Sequence, residues 1–63
     1  MTEDTEDRIR KLRHDLSNPL AAILAEAQLQ LLNTDTLPGD VVSSFRQIEA
    51  LSRRMRDMLQ AAV

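Results

Sequence analysis

Apolar side chains recur at Ile9, Leu12, Leu16, Leu20, Ile23, Ala27 and Leu31 in steps of three and four residues. That spacing places them on one side of an α-helix and predicts a first helix from about Thr5 to about Asn33. Glu3, Asp4, Glu6 and Asp7 crowd its start, where carboxylates favour the positive end of the helix dipole, and the arginines come later. A second run at Val41, Phe45, Ile48, Ser52, Met55, Leu59 and Ala62, flanked by Val42, Leu51 and Met58, predicts a second helix over about 40–62. Between them lies NTDTLPGD, Asn33 to Asp40, with the chain's single glycine and Pro38 among short polar residues. Such residues favour turns over helix, so the interhelical connection is expected at about 34–39. The predicted fold is all-α: an antiparallel helical hairpin, one domain across residues 1–63.

Two helices with one broad apolar stripe each cannot enclose a core between themselves without leaving apolar surface in water. Pairing of two copies into a four-helix bundle removes that surface, with Leu, Ile, Val, Met and Phe stacked in layers. A homodimer is therefore expected.

Composition narrows the choices further. Gly occurs once and Phe45 is the only aromatic residue, which argues against a β fold. A chain of 63 residues has a thin core, and with no cysteine it has neither disulfide nor thiolate metal site to reinforce it. One histidine excludes a multi-histidine metal cage, and no metal-binding or cofactor-binding residues are predicted. The net charge of -2 does not suggest nucleic acid as a partner. Leu20 to Leu32 is interrupted by Glu26, Gln28 and Gln30, so no segment reaches the roughly 18 apolar residues of a bilayer span, and no membrane contact is expected. An acidic amino terminus without a signal-peptide pattern, together with the absence of cysteine, points to the cytoplasm.

The segment Arg13-His14-Asp15-Leu16-Ser17-Asn18-Pro19-Leu20 departs from ordinary bundle sequence because Pro19 falls inside the periodic pattern. Proline there deprives the Asp15 carbonyl of its helical donor, at a cost of about 3 kcal/mol, and biases Asn18 away from helical geometry. A kink or loosened turn is expected just after His14. The histidine is two positions from both Leu12 and Leu16, about 200° around the helix from each, so its ring should face solvent. Asn18 lies one turn along the same face, and Asp15 flanks the ring.

HDLSNPL resembles the histidine box of the dimerisation and phosphoacceptor domain of bacterial sensor histidine kinases. That box runs histidine, acid, two variable residues, threonine or asparagine, proline; His14, Asp15, Asn18 and Pro19 meet each position. The long helix, short turn and second helix also match, so the resemblance covers nearly the whole chain. It implies that His14 is the nucleophile that accepts a phosphoryl group. Asp15 would orient the ring and accept its other proton, and Asn18 would position water for dephosphorylating a partner. The implied partners are a response-regulator receiver domain and an ATP-binding kinase domain, acting in cis or in trans, that binds ATP and Mg2+. The 63 residues contain no asparagine- and glycine-rich nucleotide boxes, so the chain alone is not expected to phosphorylate His14. On the His14 side, Ala21, Ala22 and Ala25 would let a partner helix lie close, with Val42 and Ser43 bordering the same surface.

Plainer readings of the same residues exist. The arginines around His14 can be a solvated face pairing with Glu3 to Asp7 at helical spacing, and Met55 and Met58 core filler. The whole hairpin can act as a non-catalytic dimerisation module with an unused histidine, or bind another protein's helix in a groove.

Overall fold

A computed structural model describes residues 3–61, all of the regular structure being helical. Helix α1 spans Glu3–Gln30, a six-residue 3-10 segment covers Leu31–Thr36, and α2 spans Gly39–Ala61. Ala62, at the expected end of the second helix, lies outside the described residues.

The first helix ends earlier than its apolar spacing predicts. Leu31 continues the stripe, but Asn33 leaves helical geometry at φ −124°, ψ 51°. Local hydrogen bonds hold the exit: the Thr36 hydroxyl donates to the Asn33 carbonyl at 2.9 Å, and the Leu37 backbone amide to the Thr34 carbonyl at 3.3 Å. Pro38 then opens α2, its carbonyl accepting from the amides of Val41 and Val42 at 3.1 and 3.0 Å.

Gly39 is the first residue of α2, yet it needs no glycine. Its φ is not positive, and a Cβ built there meets nothing within 4 Å. Gly39→Ala is therefore expected to stabilise the protein by about 0.4–1 kcal/mol, by restricting the unfolded chain. Thermal denaturation checks this, and a lowered midpoint would contradict it.

The helices run antiparallel: Leu16 and Leu20 share a groove with Met58 and Leu59, whereas Ala27, deeper along α1, lies beside Phe45 and Ile48. The result is a rod of 51 × 14 × 11 Å. Its radius of gyration, 15.3 Å, exceeds the roughly 11 Å of a compact domain of this length. The amino-terminal turns of α1 project past the described end of α2. They carry the ion pairs Asp4–Arg8 at 3.1 Å and Asp7–Arg10 at 2.8 Å, both solvent-exposed and so worth little to stability.

Burial is scant. Only Leu20, Ala27 and Ser52 are buried among the described residues. Ile9, Leu31, Val41, Phe45 and Leu59 are half-buried. Leu12, Leu16, Ile23, Leu51, Met55 and Met58 stay open to solvent, at 42–62% exposure. Each broad stripe is thus two seams: one edge meets the other helix, and its neighbour forms a continuous apolar flank along the hairpin.

Candidate functional site

His14 projects from α1 about 120° around the helix from Leu20, which faces α2, and on the side away from Leu12 and Leu16. Its side chain is 81% exposed. The ring's Nδ1 lies 3.5 Å from Asp15 Oδ1, at the outer limit of a hydrogen bond, so the carboxylate flanks the ring without gripping it. With Nδ1 turned towards Asp15, Nε2 is the nitrogen left to meet an incoming group.

The helix is not broken at Pro19. Residues 3–30 form one α-helix, with Asn18 inside it, contrary to the expectation that Asn18 leaves helical geometry. Asp15, whose carbonyl loses its donor to the proline, is exposed, so water can satisfy that oxygen. One turn earlier, the Ser17 hydroxyl donates to the Arg13 carbonyl at 2.6 Å. The proline ring also lines the apolar flank with Leu16, Ile23, Met55 and Met58, so it contributes packing surface as well as a missing donor.

Asn18, one turn after His14, places its amide on the same flank, with Cβ separations of about 5–6 Å typical at this spacing. Further along, Ala21 and Ala25 line a groove whose opposite wall is Ser52, Arg56 and Gln60 of α2. Ala22 is not part of this groove; it lies with Ile23, Phe45 and Ile48 on the apolar side, because one residue's step is 100° of rotation. Val42 stands about five turns before Gln60 on the same side of α2, at the connection end of the hairpin, and Ser43 is turned a further 100° away. The α2 residues nearest the His14 end were missed from sequence. Antiparallel pairing brings the second half of α2, not its start, beside Ser17 to Ala25, and a helical wheel of α2 read in that register would have found Arg56 and Gln60.

The arrangement offers one outward imidazole with a carboxylate on one flank and a neutral amide one turn away. The exposed Nε2 is a nitrogen whose lone pair an electrophile can reach. No cluster of three or more metal-ligating side chains occurs among the described residues. No helix there is long and apolar enough to cross a membrane. Comparison with known proteins finds no matching family model, no matching curated protein and no matching solved structure.

Proposed function

We propose that the chain is the dimerisation and phosphoacceptor domain of a two-component sensor histidine kinase, working in the cytoplasm. The observation that carries this reading is the split of the hairpin into two unlike flanks, apolar on one side and bearing His14, Asp15 and Asn18 exposed on the other.

The apolar flank supports pairing of two copies. The chain exposes 5061 Å², about 1,000 Å² more than a folded monomer of its mass ordinarily does, and that excess matches what one partner buries in a stable protein interface. Joining Leu12, Leu16, Ile23, Met55 and Met58 of two hairpins makes a four-helix bundle and leaves both His14 rings outside it.

In this reading the lone pair of Nε2 forms a bond to the terminal phosphorus of ATP, and the electron pair of the broken P–O bond leaves with ADP. ATP and Mg2+ are held by a separate kinase domain, in cis or in trans; this chain contributes the nucleophile and its orientation. Asp15 holds the proton on Nδ1 and offsets the positive charge that develops on the ring. In the second step a carboxylate oxygen of a receiver domain attacks phosphorus, and the P–Nε2 electron pair returns to the imidazole. Little covalent chemistry is left to the protein beyond alignment, which suits an exposed side chain on a rigid helix.

In the same reading Asn18, neutral and able both to donate and to accept, holds a water against the receiver's aspartyl phosphate. Asn18→Ala is expected to slow dephosphorylation of a phosphorylated receiver at least tenfold, about 1.4 kcal/mol of lost positioning, with helicity unchanged. Equal rates for the two proteins would remove Asn18 from the mechanism.

A further inference from the structure

We propose that the Lys11 ammonium holds the phosphoryl group once His14 carries it, as a positioning residue one turn before the ring on the same flank. The inference rests on the phosphotransfer reading for why His14 becomes loaded; the ion pair itself is tested on a ring loaded without a kinase.

Helix geometry brings the two residues together. Lys11 stands three positions before His14 in α1, about 60° from it around the axis. Side chains of an α-helix lean towards its amino terminus, so the His14 ring overlies the turn that carries Arg10 and Lys11, whereas Asn18 approaches from the turn after it. A group on Nε2 meets cations on one side and a neutral amide on the other.

Of the cations before His14, Lys11 is the one on this flank left uncommitted. Asp7 is within one turn of both Arg10 and Lys11, and it bonds Arg10 at 2.8 Å; Asp4 takes Arg8 at 3.1 Å. Asp15, one turn after Lys11, lies against the His14 ring at 3.5 Å instead, and a base placed four positions before an acid is the weaker order for a helical ion pair. The Lys11 ammonium thus has no partner among the described residues, and the residue is exposed. Arg13 turns the other way: it is half-buried and within about 20° of Leu20, which faces α2.

A phosphoryl group supplies what this ammonium lacks, about −1.5 to −2 charges and three acceptor oxygens at neutral pH. An ammonium on a flexible four-carbon stem can follow those oxygens with any of its three donors. The pair is solvent-exposed and therefore weak, which suits a group that must be steadied for in-line attack and then released.

The test loads the full chain with potassium phosphoramidate: Nε2 forms a bond to phosphorus, the reagent's P–N bond breaks and ammonia leaves. The second ionisation of the phosphoryl group is then followed by phosphorus NMR as pH is varied. A nearby cation favours the dianion and lowers this ionisation, so Lys11→Gln is expected to raise it by about 0.3–0.7 pH units, a two- to fivefold gain in proton affinity. Lys11→Arg is expected to restore the wild-type value, and the difference to fade at about 1 M salt. Arg54→Gln, which removes an exposed cation of α2, is the control for net charge and is expected to shift nothing. Equal ionisation in wild type and Lys11→Gln overturns the proposal, as does an equal rise in Arg54→Gln. A ring that phosphoramidate does not load is not an outward nucleophile, and overturns the anchor and the phosphotransfer reading together. A Lys11-dependent shift in a protein that no kinase domain labels upholds the anchor and overturns the phosphotransfer reading.

Discussion

His14→Gln is expected to abolish phosphoryl labelling completely when a cognate kinase domain and radiolabelled ATP are supplied in trans. The wild-type label is expected to be lost in acid and kept in base, as a phosphoramidate is and a phosphoserine is not. Glutamine keeps polarity and bulk but has no ring nitrogen lone pair, so the nucleophile disappears and little else changes. The fold has almost nothing at stake, since the ring is 81% exposed and its one contact is the 3.5 Å approach to Asp15. Surface changes of this kind usually move stability by no more than about 0.5 kcal/mol. The mutant should therefore match wild type in helicity and mass while carrying no label. Undiminished labelling would move the acceptor to another residue. A wild-type chain that takes no label would favour the plain dimerisation module.

If two copies pair through the apolar flank as proposed, Ile23→Asp is expected to hold them apart as monomers. Ile23 is 50% exposed in the single chain and belongs to both apolar grooves, with Pro19 and Met55 on one side and Phe45 and Ile48 on the other. Burying such a side chain contributes about 1.5–3 kcal/mol, and an aspartate in its place adds the desolvation of a charge. Two-fold symmetry counts the change twice, so roughly 4–6 kcal/mol is lost and the dissociation constant rises by about 10³–10⁴. Sedimentation equilibrium reads this as a fall in mass. Helicity should fall with dilution too, because a hairpin with three buried residues among those described has little to hold it together alone. Gln28→Asp, in the groove on the opposite flank, is the control and should leave the mass unchanged. A dimer that survives Ile23→Asp would show that this flank is not the interface.

Much of the fold was legible in the sequence because helical periodicity is a local property. The steps from Ile9 to Leu31 and from Val41 to Leu59 predicted two helices, and Pro38 and Gly39 marked the connection. The second helix begins within one residue of its expected start. The prediction for the first overran because Leu31 and Leu32 extend the apolar pattern, while the hydrogen bonds around Asn33, from the Thr36 hydroxyl and the Leu37 amide, leave no mark on periodicity. The exposure of His14 was legible for the same reason as the helices, since its angle from Leu12 and Leu16 follows from spacing alone.

The groove was less legible. Ala21, Ala22 and Ala25 read as one small-residue surface, but rotation separates Ala22 from the other two, and only packing against α2 shows which side each faces. The proline was expected to loosen the turn and to draw Asn18 out of helical geometry, yet Asn18 stays within the α-helix, because an exposed carbonyl can exchange one helical donor for water.

Residue order along this chain was enough to establish two amphipathic helices, a polar turn and an imidazole pointing away from the stripe, since each depends on neighbours within about two turns. Tertiary structure decided which edge of each stripe the hairpin covers, which edge it leaves exposed, and that Arg56 and Ser52 stand across a groove from Ala21 and Ala25. Those outcomes depend on the register and rotation of two helices joined by a short connection, and residues some thirty positions apart become neighbours only when that packing is made.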